Sequence, residues 1–190
     1  IAQFGVMGSA YMSKHMKIEN PRVGLANIGS EPTKGREQEL ESYDRLSRAP
    51  INFIGNVEGR DIPLGGADVV VADGFTGNMI LKTMEGMGKF FSMALKDMFK
   101  SGVSSSVGAL LMKNSLMAFK KKMDYTEYGG APLLGTAKPV IKAHGASNEN
   151  AFFNAIRQAK IFVETKVIDE ISSALAEIKA GESEEDGQAK

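Results

Sequence analysis

The chain has 190 residues, enough for one domain, and a domain of that size buries roughly 70% of the surface its unfolded form exposes. Hydrophobic residues make up 43% and charged residues 24%, as in an ordinary globular protein, and 23 basic against 23 acidic side chains leave no net field to attract nucleic acid. The lack of cysteine excludes disulfides, thiolate zinc sites and a cysteine nucleophile, and no apolar run reaches the roughly 18 residues of a transmembrane helix.

Ile1, Phe4, Met7, Gly8, Tyr11, Met12 and Met16 recur at helical spacing with no cap before them. The chain is therefore expected to be the later part of a longer protein. The first residues carry no signal-peptide pattern, and the lack of cysteine fits a cytoplasmic enzyme. Residues 22–28 (Arg-Val-Gly-Leu-Ala-Asn-Ile) predict a buried strand, followed by Gly29-Ser30-Glu31-Pro32-Thr33-Lys34-Gly35 and a polar helix over 36–48. Glycine, hydroxyls and a lysine before a helix start suit a phosphate cradle, although the order G-x-x-x-x-G-K-[ST] is absent. Lys34 is either an anion ligand or a solvated surface lysine.

Residues 51–54 predict a second strand, closed by Gly55-Asn56. Glu58, Arg60 and Asp61 then suit a surface ion cluster, and Pro63, Gly65 and Gly66 a loop. Val69 to Ala72 is a short β-branched block, the pattern of a strand buried on both faces. It ends in Asp73-Gly74-Phe75-Thr76-Gly77-Asn78, after which Ile80, Met84, Met87, Phe91, Leu95 and Met98 fall on one helical stripe. The spacing predicts a strand, a glycine turn and a helix from Asn78, with Thr76 or Asn78 as N-cap. Unpaired amides at that helix start favour an anion. Asp73 either caps the helix or stands at the carboxyl end of the strand, where open α/β sheets place their chemistry.

Residues 103–122 predict another helix, with Val103, Val107, Leu110, Leu111, Met117 and Phe119 and a closing run Lys120-Lys121-Lys122. Such a stripe serves a core, a dimer contact or a membrane surface, and the lysines also complement the helix dipole. Residues 125–135 form a loop with three glycines and a proline, which lets backbone approach a ligand. Residues 139–142 predict a last strand, and His144-Gly145 repeats the layout of Asp73-Gly74. Ser147 or Asn148 caps a long closing helix with Phe152, Ile156, Ala159, Val163, Val167, Ile171 and Leu175 on its stripe. Residues 181–190 are acidic and are expected to form a disordered tail. Alternating strands and helices predict βαβ units and a mainly parallel sheet. There is no internal repeat, no G-x-S-x-G elbow and no G-x-G-x-x-G after a strand, which disfavours a serine hydrolase and a nicotinamide dehydrogenase. The two histidines, His15 and His144, have no acids clustered around them, so no metal site is expected.

Four strand-end loops carry a resemblance: Asn27-Ile28-Gly29 with Lys34-Gly35, Gly55-Asn56-Val57-Glu58-Gly59-Arg60-Asp61, Asp73-Gly74-Phe75-Thr76-Gly77-Asn78 and Lys142-Ala143-His144-Gly145. With Tyr128-Gly129-Gly130-Ala131-Pro132-Leu133-Leu134-Gly135 they closely resemble the phosphate acyltransferase (PlsX) family of bacterial phospholipid synthesis, from about Arg22 to Val163. Ser30 and Pro32 depart from the family's usual acidic or small residues, and Ala146 stands where serine is frequent, with Ser147 as its substitute. The resemblance implies a three-layer α/β/α sandwich over residues 1–180, similar to phosphotransacetylase and isocitrate-type dehydrogenases, with residues 98–122 as a protruding amphipathic dimer element. It implies transfer of a long-chain acyl group from acyl carrier protein to inorganic phosphate, with no cofactor. It also implies a homodimer on the inner face of the cell membrane, handing acyl phosphate to the acyltransferase that acylates glycerol 3-phosphate. Residues expected to bind substrate are Asn27, Gly29, Lys34, Gly35, Gly74, Gly77, Asn78, Gly129, Gly130 and Ser147; Asp73, His144 and Lys142 are the expected catalytic groups. The alternatives are a phosphotransacetylase-like enzyme acting on acyl-CoA and a non-catalytic membrane scaffold.

Overall fold

The computed structural model describes residues 1–122, 130–143, 145 and 147–188. Its central feature is a parallel three-stranded sheet of order β2-β1-β3, formed by β1 (Arg22–Asn27), β2 (Asn52–Glu58) and β3 (Val69–Val71). β1 lies in the middle and is buried from Val23 to Ala26, which explains its uninterrupted apolar sequence. Helices α1 (Ala2–Lys14) and α2 (Glu37–Arg48) pack on the face that carries Val23 and Val71. A second cluster joins Met7 and Ala10 of α1 to Phe162, Val167 and Ile171, so α1 is shared between the sheet and the closing helices. The fold is α/β with a parallel sheet, as the alternation of patterns predicted.

Several element boundaries differ from expectation. β2 does not stop at Gly55; Val23 pairs with Phe53 but Leu25 pairs with Asn56, so β2 accommodates one extra residue in a bulge and continues to Glu58. α3 (Gly74–Lys100) begins four residues before Asn78, because Asp73 itself supplies the cap. The predicted last strand shrinks to β5 (Ile141–Lys142), antiparallel to β4 (Ala131–Pro132) in a separate two-stranded sheet. The single closing helix is two, α6 (Glu149–Glu164) and α7 (Val167–Gln188), because Lys166 turns into the left-handed region at φ 51°. α7 continues through the acidic residues 181–188, where Glu182, Glu184, Glu185 and Gln188 are good helix formers.

The single helix predicted over 103–122 is two, α4 (Val103–Leu111) and α5 (Lys113–Lys122), broken at Met112. The Ser106 hydroxyl donates to the Phe99 carbonyl at 3.1 Å across the turn after α3. No residue of α3 or α4 is buried. The stripe residues Met84, Met87, Phe91 and Met98 are exposed, as are Val103, Leu110 and Leu111. The helical period was correct, but among the described residues nothing buries the stripe, and only Ile80 and Leu95 on it are partly covered. Among the described residues no helix is long and apolar enough to cross a membrane.

Candidate functional site

The carboxyl ends of the three parallel strands bring together residues far apart in sequence. Asn27 closes β1, Asn56 lies near the end of β2, and Asp73 follows β3. The Asn27 side chain donates to the Lys34 carbonyl (2.9 Å) and to Asn56 Oδ1 (3.2 Å), while its own Oδ1 accepts from the Ile28 amide (2.8 Å). Asn56 Nδ2 donates in turn to the Glu31 carbonyl at 2.7 Å. Two side-chain amides thus hold the 28–35 loop on the sheet edge, with the Lys34 side chain exposed and in no ion pair among the described residues.

The loop ends on Gly35 at φ 104°, a conformation that favours glycine. A Cβ there would come within 2.7 Å of Glu39 Cβ and 2.8 Å of Asn27 Oδ1. The chain then enters α2 at Arg36. Glu39 accepts from the Arg36 amide (2.8 Å) and from its Nε (3.0 Å), and a further Nη2–Oε1 contact completes the ion pair. The same guanidinium reaches Asp73 Oδ2 at 3.0 Å. Its hydrogen bonds hold the Glu39 carboxyl below the usual carboxylate range.

Asp73 is the N-cap of α3: the amides of Phe75 and Thr76 donate to Oδ1 at 2.8 and 2.9 Å, and the Thr76 hydroxyl donates to Oδ2 at 2.6 Å. The Thr76 contacts, with help from Arg36 and Phe75, lower its pKa to about 2. Near neutral pH Asp73 is therefore a fixed anion, suited to orienting Arg36 and the first turn of α3, and a weak proton acceptor. Because its folded-state pKa lies below the ordinary value of about 3.9, its contribution to stability is complete above about pH 4 and is lost as pH falls through about 2. Urea unfolding midpoints across that window should fall less steeply for Asp73→Asn than for the parent; parallel acid limbs would show that Asp73 is not held as described.

The structure brings together Asn27, Gly29, Lys34, Gly35, Asp73 and Gly74. The expected anion donors at Gly77 and Asn78 lie inside α3 instead, where the Gly77 amide already donates to the Asp73 carbonyl at 2.8 Å. Lys142 and Gly130 adjoin each other at β4–β5, and Ser147 precedes Asn148, which caps α6 by accepting from the Ala151 amide at 2.9 Å. Among the described residues no hydrogen bond or ion pair connects that second group to the strand ends. His144 and Gly129 lie outside the described residues.

The residues expected at the site did not include Arg36, Glu39, Asn56 or Thr76, although Asn56 and Thr76 stood in the strand-end loops and Thr76 was a candidate N-cap. Arg36 and Glu39 carried a usable signal, an acid three residues into a helix start. Asn56 stood in one of the strand-end loops, but the bulge that places its side chain is not visible in a strand pattern. A cleft of about 190 Å³ between Leu133, Phe162, Ile171 and Leu175 has no ionisable lining residue and is smaller than the usual ligand pocket of roughly 300–1,000 Å³.

Residues 1–170 match the family described as fatty acid synthesis protein. The chain belongs to this family. Within it, a phosphate acyltransferase of Thermoanaerobacter pseudethanolicus is 53% identical over 175 residues, covering 92% of this chain and 53% of that protein. One from Thermoanaerobacterium thermosaccharolyticum is 55% identical over 169 residues, 89% of this chain and 51% of the relative. One from Listeria innocua is 49% identical over 185 residues, 97% of this chain and 55% of the relative. The family resemblance carried by the strand-end loops is therefore borne out. The chain spans about half the length of the curated relatives it matches.

Proposed function

We propose that this chain contributes the phosphate-binding part of an acyltransferase that moves a long-chain acyl group from acyl carrier protein to inorganic phosphate. The observation that carries this reading is the 28–35 loop, clamped at the carboxyl end of a parallel sheet with Lys34 exposed beside the Arg36–Asp73 pair. The relatives' name, phosphate acyltransferase, supports the same chemistry.

Phosphate dianion is already a nucleophile near neutral pH. One of its oxygens attacks the thioester carbonyl, the tetrahedral oxyanion collapses, and the C–S bond breaks to give acyl phosphate and the carrier thiolate, which takes up a proton. Positioning supplies several kcal/mol of the rate enhancement, and a single oxyanion donor about 3 kcal/mol. In this reading Lys34 and the loop around Gly29 and Gly35 hold phosphate. Asp73 holds Arg36 and the start of α3 at Gly74. His144 or Lys142 polarises the carbonyl or protonates the thiolate, with Gly129, Gly130 and Ser147 on the acyl side. No cofactor and no acyl-enzyme enter the scheme.

The finer architecture belongs to the same reading: a three-layer sandwich like phosphotransacetylase, with residues 98–122 projecting as a dimer and membrane-surface element. The exposed apolar side chains of α3 to α5 support that placement at the inner membrane face, from which acyl phosphate passes to the glycerol 3-phosphate acyltransferase. Flotation with anionic phospholipid vesicles tests it, and loss of binding in Leu110→Glu is the expected result.

The activity is tested by trapping acyl phosphate as its hydroxamate from long-chain acyl carrier protein and phosphate. The assay uses this chain and, in parallel, this chain preceded by the first half of the Thermoanaerobacter relative. Phosphate-dependent turnover is expected, with the phosphate KM raised at least about tenfold in Lys34→Ala, roughly 1.4 kcal/mol of lost binding. Preference for acyl-CoA would favour the phosphotransacetylase-like reading. Vesicle binding without turnover from either donor would favour the scaffold.

A further inference from the structure

We propose that Asn56 is a positioning residue for phosphate, acting through the loop that carries Lys34; this rests on the phosphate reading above. Asn56 is only 9% exposed, and both ends of its amide are committed. Nδ2 donates to the Glu31 carbonyl on one side of Lys34, and Oδ1 accepts from Asn27 Nδ2, which also donates to the Lys34 carbonyl. Reversing the amide would set donor against donor and acceptor against acceptor, so the network admits one orientation. The loop is held at two carbonyls, those of Glu31 and Lys34, at the two ends of the segment between them.

The β2 bulge explains how Asn56 comes to be there. Leu25 would oppose Gly55 in an unbroken register after Val23 and Phe53, but it opposes Asn56. A shift of one residue moves a strand side chain from one face of the sheet to the other. Gly55, at φ 93°, adopts the backbone that permits the extra residue. The Gly55-Asn56 pair thus works as a unit: the glycine kinks the strand and the asparagine takes hold of the loop. The charged groups around the amide pair are Glu31 and Lys34 on the loop, Glu58 opposite Asn27, and Glu39 next to Gly35.

Asn56→Asp keeps the shape and makes the clamp titratable. When protonated, the carboxyl donates to the Glu31 carbonyl and accepts from Asn27; when ionised, it presents an acceptor to that carbonyl. Near pH 8 the phosphate KM is expected to rise about tenfold, with kcat and the carrier-protein KM changed less than about twofold, and the rise should shrink toward pH 5. Asn56→Ser, which cannot span both contacts, should raise the same KM with no new pH dependence. Hydrogen exchange on this chain reads the clamp without turnover: relative to the parent at each pH, Asn56→Asp should speed exchange of the 28–35 amides near pH 8 and much less near pH 5. Unchanged phosphate KM and unchanged loop exchange in folded variants would overturn the proposal. Equal changes in kcat and both KM values would overturn it as well, by pointing to a general packing role. If the parent shows no phosphate-dependent turnover, the phosphate reading falls, and exchange alone decides whether Asn56 holds the loop.

Discussion

Gly35→Ala is expected to cut phosphate-dependent turnover by about 10²-fold while leaving the chain folded. Two separate features of the site combine to produce this effect. The residue sits at φ 104°, where a side chain costs roughly 1–2 kcal/mol, a fraction of the roughly 5–15 kcal/mol that stabilises a domain. The added methyl would also lie 2.7 Å from Glu39 Cβ and 2.8–2.9 Å from both ends of the Asn27 amide. To relieve that contact, either Asn27 releases the Lys34 carbonyl or the start of α2 moves away from Asp73. Each displaces a cation from where phosphate is held, and a misplacement of about 1 Å is enough for a loss of that order. Gly59→Ala is the matched control, because nothing lies within 4 Å of its position and its backbone is not left-handed. If Gly35→Ala turns over within about twofold of the parent, the loop is not at the reacting centre.

The sequence showed the strands more readily than the partners of their polar ends. Val69 to Val71 could be recognised as a strand because β-branched residues run without interruption up to Ala72-Asp73. Only Val71 is buried, however, since β3 lies at the edge of the described sheet. The start of α3 was misplaced by the same stretch: Gly74 and Gly77 weaken a helix on propensity alone, but Asp73 fills the cap and the helix begins around them. The Arg36–Asp73 pair spans 37 positions, and no local pattern announces a contact at that range. The break at Lys166 lacks the glycine or proline that marks most helix ends, so a continuous period looked like one helix. Its consequence is visible in α6, where Ala151, Asn154, Ala155 and Phe162 form the buried side and Phe152, Ile156 and Val163 remain exposed. The stripe on α3 was legible as a period, but a period does not say what covers it. The family was legible for a different reason: the strand-end loops are short blocks of unusual composition, and they keep their order along the chain.

Leu46→Ala is expected to destabilise the chain by about 3 kcal/mol, within the roughly 2–5 kcal/mol typical of a buried leucine, and to lower the thermal midpoint by roughly 6–12 °C. Leu46 is fully buried and lies on the same face of α2 as Glu39 and Ser42, so it seats the helix whose first turn carries Arg36. Its partner is the backbone of α1: a Cβ built on Gly5 would lie 2.6 Å from Leu46 Cδ2. That contact makes the two positions testable as a pair. Gly5→Ala alone overfills the junction and should cost about 1–3 kcal/mol. In the double variant the new methyl enters space that the shortened side chain has vacated. The combined loss should therefore fall short of the sum of the single losses by at least about 0.5 kcal/mol, measured by urea unfolding of all four proteins. Strict additivity would mean that α1 and α2 do not meet at Gly5 and Leu46. The coupling also bears on the site: if it holds, α1 and α2 are one packed unit against β1, and the Arg36–Glu39–Asp73 contacts stand on a rigid base.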